Sequence, residues 1–542
     1  MLDKGLPRLL GLGAWLVLLI LVAAPMVQIV LMAVWPSGPA HSGLASALQT
    51  PDFWVALRGT VTLALLTMCF TLALGGLMAA LTVERPLPAP WLWEALLLAP
   101  FLLPPYLTGI AWSLLLEPGG YCAQTLGSAC APFGQALYTL PGMAWIMALH
   151  LAPLAYLMLR AALLQRARTP ALAARVHGAG RLRTLVWIEL PSLAPAIGAA
   201  ALLTFLAGSE EYGVPAVVGT YAGIKVLATA VEEAVSVWPV DLPKAAALGL
   251  ILCGLALLAW LPYRALAATE TDAPHRPQQS ASWSALLPVA LFVLLADVLP
   301  IGTIVLTSFL RAVSDGFVAS NFTTAHFAGI LRAGSDCWQA LLNSVWLSLV
   351  TAGVAVAAGL IVAGALNGPG PSRPSRRALD LMATLPTALP GVVVAVGLIL
   401  FWNAHWMPIT LYGTPLILVV SYLTVTFPYA LRYVQIGLAA GGGNLNAVGA
   451  VHGAGPLYRL RTVTLPLAFP ALVGAASVVF ALSMRELVTS VMLQPPGTEV
   501  VSTYVMNQFL QGDVGDGMAM AVVGVFSSAI LLGLAQVGLG RR

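Results

Sequence analysis

The sequence predicts an all-α membrane protein of about twelve transmembrane helices, arranged as two tandem six-helix halves. Three observations predict it. The chain is 59% hydrophobic and only 8% charged over 542 residues, far below the roughly 25% charge of ordinary soluble domains. Its apolar residues gather into runs of about 20 or more, the length that crosses the hydrocarbon core of a bilayer. The third is a repeat: the five residues VHGAG occur at 176–180 and again at 451–455, each time in a polar stretch between two apolar runs.

Taken in order, the runs are 11–35, 58–83, 91–116, 140–165, 192–216 and 243–263, then 284–310, 339–365, 379–402, 413–437, 467–491 and 516–540. The first is longer than the roughly 7–15-residue core of a signal peptide, and it follows Lys4 and Arg8. Between the sixth and seventh lies RALAATETDAPHRPQQSASW (264–283), whose Ala, Thr, Pro, Gln and Ser content reads as a linker. The chain therefore divides into a first half, 1–263, a linker, 264–283, and a second half, 284–542. With the N-terminus in the cytoplasm, most Lys and Arg fall in inside segments, including Arg181/Arg183, Arg376/Arg377 and Arg459/Arg461. The outside segments hold only Arg58, Lys225, Lys244, Arg311 and Arg332. That asymmetry is the positive-inside signature. It puts both termini and the linker in the cytoplasm, and it reads the basic loops as reporters of orientation rather than as a nucleic-acid surface.

The two VHGAG copies are 275 residues apart (453 − 178), and other features coincide at that offset. Leu190–Pro191 meets Leu465–Pro466, Pro195 meets Pro470, Phe205 meets Phe480, and Glu211 meets Glu486. Thr169 meets Asn444, both residue types that cap helices well. A tandem duplication accounts for all of these. Each copy reads as a capped helix, a turn at Gly-Ala-Gly, and a second helix leading to Leu-Pro. Gly178 and Gly453 permit a sharp bend or a positive φ. Two such helical knobs on one side of the membrane would suit a two-fold soluble partner.

The segments AARVHGAGRLRTLVWIELP and AVGAVHGAGPLYRLRTVTLP resemble the EAA motif of binding-protein-dependent ABC importer permeases, in which a Gly is followed twelve and thirteen residues later by Leu-Pro. Gly178 with Leu190–Pro191 fits, as does Gly453 with Leu465–Pro466. The resemblance extends over nearly the whole chain as two fused permease halves of the type I (MetI-like) fold. It is nearest to the ferric-iron, thiamine, polyamine and 2-aminoethylphosphonate branch. EEYGVPAVVGT (210–220), MRELVTSVMLQPPGTEVVSTYV (484–505) and the proline-broken APFLLPPY and LPTALPG carry it there. The chain departs at the Glu that names the motif: that position is Leu172 in one copy and Ala447 in the other. Ala173 and Ala174 remain in the first copy, and Val448 and Gly449 replace them in the second. The resemblance implies that Ala173, Ala174, His177, Gly178, Leu190, Pro191, His452, Gly453, Leu465 and Pro466 belong to loops that couple to a homodimeric ABC ATPase. It implies ATP and Mg on that partner, a periplasmic substrate-binding protein, and a multi-pass place in the bacterial inner membrane.

Ionisable groups inside spans are costly and are usually paired or functional. Glu210, Glu211, Arg485 and Glu486 stand out, and the resemblance places their spans along the translocation path. Adjacent helical residues do not face one another, so Arg485 is expected to meet Glu210 or Glu211 of the other half rather than Glu486. The cluster reads equally as a lock between the halves and as a gate or polar lining. Tyr106 and Thr108 sit near the first proline break as further lining. Glu211 and Glu486 could hold a metal transiently in passage, and there is no firm metal site. His150 and Asp297 read as lone polar groups used in packing. Cys122 and Cys130 share one outside loop, where a disulfide is plausible.

No GxxxxGK[ST] stretch occurs, so ATP binding through a P-loop is excluded, and no HExxH or Ser/His/Asp arrangement appears. No cofactor, no catalytic residue and no nucleic acid are expected on this chain: it is a pathway and not an enzyme. The substrate expected first is ferric iron, to which the three carboxylates are suited. Thiamine, a polyamine or 2-aminoethylphosphonate stand behind it. From another class, a twelve-helix secondary transporter also has two parallel six-helix halves. Its usual basic signature between the second and third spans is missing from ERPLPAP and NGPGPSRPSRR. A membrane scaffold would give no reason for paired loops.

Overall fold

The computed structural model describes residues 2–35, 43–85, 87–165, 169–267, 283–367, 372–440 and 443–540. Within them the protein is helical, with one isolated antiparallel bridge, Leu310 to Phe322, and no strand. In a bilayer a helix satisfies its backbone groups within its own segment, which suits apolar runs of about 20 residues.

The helices, numbered in chain order, are α1 (Leu9–Val34), α2 (Pro51–Glu84), α3 (Pro90–Leu102 with Pro105–Leu137), α4 (Leu140–Gln165), α5 (Leu182–Glu210) and α6 (Leu242–Leu266). The second half supplies α7 (Trp283–Ser308), α8 (Asp336–Asn367), α9 (Arg373–Ala388 with Gly391–Trp402), α10 (Leu416–Ala439), α11 (Leu460–Met484) and α12, whose apolar part is Val514–Ser527. α3 bends by 93° and α9 by 114°. Among the described residues nine helices are long and apolar enough to cross a membrane, or eleven with each bent pair as one span, against the twelve expected. Of the expected linker, residues 268–282 lie outside the described residues. α6 runs past the expected boundary at 263, because the helix Leu242–Ala267 carries its ladder into the polar segment.

The duplication goes deeper than the sequence motifs. Four widened helical turns, Leu19–Ala23, Leu185–Glu189, Leu294–Val298 and Leu460–Thr464, each end two residues before a proline: Pro25, Pro191, Pro300 and Pro466. In each, the N–H after the turn reaches back five residues, as Leu190 does to Leu185 and Leu465 to Leu460. A proline lacks the N–H and its ring clashes with the carbonyl four residues back, and a looser turn relieves that clash. The Leu-Pro pairs of the repeat are thus absorbed into continuous helices.

In space the halves are interleaved. α1 packs on α6 of its own half and on α8 and the second limb of α9 of the other, while α7 packs on α12 of its own half and on the second limb of α3 of the other. Within the first half α2 and α4 run against each other closely enough that a Cβ on Gly75 would lie 2.7 Å from the Cβ of Ala155 and 2.8 Å from the Ala152 carbonyl. At the end carrying the VHGAG turns, Arg264 of α6 joins Asp380 of α9 (2.9 Å) and donates to the Thr384 hydroxyl (3.0 Å). Arg160 of α4 pairs with Glu94 of α3.

On the opposite face, Cys122 and Cys130 are joined in a disulfide. Two amphipathic helices, Leu227–Ser236 and Val501–Gln511, also lie toward that face. Each is anchored the same way: Thr60 Oγ1 accepts from the Leu227 N–H (2.8 Å), and Ser344 Oγ accepts from the Val501 N–H (2.7 Å). Both hydroxyls are buried and satisfy a donor that a helix start leaves free.

Candidate translocation pathway and coupling loops

The VHGAG turns are two copies of one helix stop. The first knob begins with helix Thr169–Val176, the second with Gly443–Val451. Thr169 and Asn444 both lie within these helical spans. At the far end, the Gly178 N–H donates to the Arg175 carbonyl (3.0 Å) and the Ala179 N–H to the Ala174 carbonyl (2.9 Å). Gly453 and Ala454 repeat this on Ala450 (3.0 Å) and Gly449 (2.9 Å). This pair of bonds is the Schellman stop, which needs a left-handed residue just past the helix. Gly178 has φ +84° and Gly453 φ +79°, a region open to glycine at little cost. The next helix starts at once, with Thr184 N–H on the Gly180 carbonyl and Arg459 N–H on the Gly455 carbonyl. Apolar side chains tip both turns: Val176 and Val451 are each 85% exposed. His177 and His452 are exposed beside them.

The four ionisable residues expected inside spans sit where helices stop. α5 ends at Glu210 and α11 at Met484, short of the expected 216 and 491. The chain then breaks and resumes as short helical turns, at Pro215–Gly219 and Val488–Leu493. The break explains two carboxylates. Glu211 accepts from the Gly213 N–H (2.8 Å) and from Val214. Glu486 accepts from the Thr489 N–H (3.1 Å) and from Val488. These donors match at the repeat offset. Each carboxylate caps the turn that follows it, where the helix start offers free N–H groups and a positive dipole end. Glu211 also lies near enough to Glu486 to feel its charge across the interface between the halves.

Arg485 does not pair with Glu210 or Glu211. Its Nη1 donates to the backbone carbonyl of Phe101 at 2.5 Å, in the break of α3. The reason lies in APFLLPPY. The residues three and four beyond Phe101 are Pro104 and Pro105, neither of which has an N–H, so the carbonyl has no helical donor. Tyr106, Tyr429 and Glu486 surround the guanidinium electrostatically, as does His150. The His150 ring stands edge-on to Phe101 at 5.9 Å between centroids. Arg485, Phe101, Leu102, Tyr106 and Ala481 share the wall of a cavity of about 160 Å³ between the halves. Thr108 is buried one turn along. Glu210 alone of the four makes no hydrogen bond or ion pair among the described residues.

Sequence reasoning missed the role of Phe101, which acts through its backbone, although the two prolines after it are a readable signal of an orphaned carbonyl. Asp297 reads in the sequence as a lone polar group within a span. Asp297 is 4% exposed in the widened turn of α7, and neither carboxyl oxygen has a hydrogen-bond partner. Among the described residues no three His, Cys, Asp or Glu side chains gather as a metal cluster. Glu211 and Glu486 are thus engaged with backbone rather than grouped as ligands.

Nine to eleven helices among the described residues that are long and apolar enough to cross a bilayer, two of them broken in mid-span, make this a multi-pass membrane protein, with breaks of a kind tolerated where they line a cavity or pack in protein. Comparison with known proteins gives the particular family. Residues 355–539 match the family model described as binding-protein-dependent transport system inner membrane component. A putative 2-aminoethylphosphonate transport system permease protein, PhnV, of Salmonella paratyphi A is 31% identical over 234 residues, 43% of this chain and 86% of that protein. A probable ABC transporter permease protein, y4fN, of Sinorhizobium fredii is 28% identical over 408 residues, 71% of this chain and 70% of its own. The ferric transport system permease protein FbpB of Actinobacillus pleuropneumoniae is 25% identical over 450 residues, 80% of this chain and 64% of its own. The chain belongs to the family of inner membrane components of binding-protein-dependent transport systems, the ABC importer permeases.

Proposed function

We propose that this chain forms the translocation pathway of an ATP-driven importer in the bacterial inner membrane, with 1–263 and 284–542 as its two permease halves. A separate homodimeric ATPase would bind ATP and Mg and drive the chain through the two VHGAG turns, and a periplasmic binding protein would deliver substrate to the opposite face. The observation that carries this reading is the pair of knobs. Two helix stops share one hydrogen-bond pattern, 275 residues apart, and each presents an exposed apolar tip, Val176 or Val451. An exposed apolar tip repeated on a two-fold plan suits a two-fold partner with matching grooves.

Ferric iron is the substrate we place first. Relatives named as ferric transport permeases match 80% and 75% of this chain, and the Glu210 carboxylate, where α5 stops, has no hydrogen-bond or ion-pair partner among the described residues. A second reading, 2-aminoethylphosphonate, is favoured by Arg485, a cation on the wall opposite that carboxylate's half, and by the PhnV relatives. The test is uptake of radiolabelled ferric iron under iron limitation, in cells with and without the gene and with a variant altered at Leu190/Pro191 and Leu465/Pro466. Loss in both the deletion and the loop variant supports importer and iron together. Unchanged iron uptake, with loss of labelled 2-aminoethylphosphonate uptake, keeps the importer and replaces the substrate.

A further inference from the structure

The breaks in α3 and α9 are built on one plan and held differently. At the first, the Pro100 carbonyl accepts from Leu103 (3.3 Å) and the Pro104 carbonyl from Leu107 (3.0 Å) and Thr108 (3.3 Å). At the second, 286 residues on, Pro386 accepts from Leu389 (3.3 Å) and Pro390 from Val393 (2.9 Å) and Val394 (3.1 Å). Each break is pressed by the end of a helix from the other half. Leu102 and Ala481 of α11 line one cavity, and Ala388 and Leu206 of α5 share one apolar cluster. These pairs are equivalent under the duplication.

The polar contacts are not equivalent. Phe101 offers a carbonyl that Pro104 and Pro105 leave without a donor, and Arg485 from the other half supplies one. At the matching place in the second break, Gly391 stands where Pro105 does, and Glu210 stands where Arg485 does. Among the described residues no hydrogen bond between elements reaches the Thr387 carbonyl, and the Glu210 carboxylate has no hydrogen-bond or ion-pair partner. The small residue has changed sides as well. In the first half Gly213 lies against Tyr106, 2.9 Å from Cβ to Cβ were it substituted. In the second half Gly391 lies against Val488, where a Cβ would come 3.3 Å from the Val488 Cβ. Among the described residues the α11–α3 seam is therefore pinned by a charge-assisted bond at its break, whereas α5 meets the α9 break through apolar contact, and the charged hold on α9 comes from α6, where Arg264 reaches Asp380 and Thr384.

We propose that Arg485 is a positioning residue, a latch that pins the second half's α11 to the broken α3, so that the pathway opens first at the α5–α9 seam. Substrate need not touch Arg485 for this role. The proposal rests on the importer reading above.

The test uses the complete transporter with its ATPase in proteoliposomes. Cys69, Cys253 and Cys337 are replaced and the Cys122–Cys130 disulfide is kept. One variant carries L206C and A388C, the other L102C and A481C, and cross-linking is compared without nucleotide and after trapping with ATP and vanadate. The α5–α9 pair is expected to change about tenfold between states and the α11–α3 pair less than about twofold, the difference one charge-assisted bond makes. Arg485→Met should render the α11–α3 pair as state-dependent as the other, and Arg485→Lys, which keeps a charged donor, should restore the difference. Equal changes at both seams with Arg485 intact would overturn the latch, as would an α11–α3 pair indifferent to Arg485→Met. A wild-type latch background in which neither pair responds to nucleotide would sink the importer reading, and the latch with it.

Discussion

Replacing Gly178 by Ala isolates what the repeated turn contributes. A Cβ built on Gly178 or Gly453 meets no atom within 4 Å, so packing imposes no cost, and only the backbone conformation does. With φ at +84° and +79°, an L residue pays roughly 1–2 kcal/mol to stay left-handed. If it relaxes instead, the bonds from Gly178 to Arg175 and from Ala179 to Ala174 are lost, and the following helix changes direction. Taking about 1.4 kcal/mol per turn, Gly178→Ala should weaken binding of the ATPase subunit about tenfold. The double variant with Gly453→Ala should approach about a hundredfold, since separate sites add. Asn tolerates this region better than Ala, so Gly178→Asn should fall between. The assay is titration of purified ATPase onto the permease in nanodiscs, with ATP hydrolysis as a second reading. Gly180 and Gly455 are the control. They also have open space but no positive φ, and each precedes a helix, where Ser serves as well as Gly. Gly180→Ser should bind normally. If Gly180→Ser costs as much as Gly178→Ala, or if Gly178→Ala binds within about twofold of the unaltered chain, left-handed geometry is not what the repeat preserves.

Three further outcomes are expected. Thr60→Val keeps the shape but leaves the buried Leu227 N–H without its acceptor. It should cost about 1–3 kcal/mol, read as a lowered midpoint of thermal unfolding in detergent, and Ser344→Ala should do the same at Val501. Gly75→Ala forces α2 and α4 apart against backbone and not only side chain. A loss of about 1–3 kcal/mol is expected in the same melt, whereas Gly254→Ala, with open space around it, should be neutral or better. Cys122→Ser with Cys130→Ser opens a short closed loop. It should lower stability by about 2 kcal/mol and leave ATPase binding on the far face unchanged, as judged by the same titration.

Much of the molecule was legible because membranes impose a simple grammar. Runs of apolar residues located the helices, though several starts lie seven to ten residues before the expected ones, as at Pro51, Leu182 and Leu460, and the repeated Gly-Ala-Gly gave both turns, since a positive φ is written as glycine. The ends of α5 and α11 were not legible. Apolar residues such as Val214, Val217 and Val218 continue past Glu210, and hydropathy does not register where a hydrogen-bond ladder stops. The partner of Arg485 was misread for a related reason. Charges were matched to charges, while the acceptor is a backbone carbonyl that carries no side-chain signal beyond the two prolines after it. The capping roles of Glu211 and Glu486 were hidden by the same assumption of an unbroken helix. The exchange of α1 and α7 between halves was not readable at all, because lipid-facing and partner-facing apolar surfaces look alike in sequence.

That exchange bears on how the protein is made. α1 is synthesised before any helix of the second half, yet part of its packing surface belongs to α8 and α9. It must wait in the lipid, unpartnered on that side, while some three hundred residues are added. α3 likewise waits for α7. The first half therefore leaves the insertion machinery as an unfinished object, exposed to proteases and to stray helices. Joining the halves in one polypeptide shortens that interval, because the missing surfaces arrive on the same ribosome and in equal number.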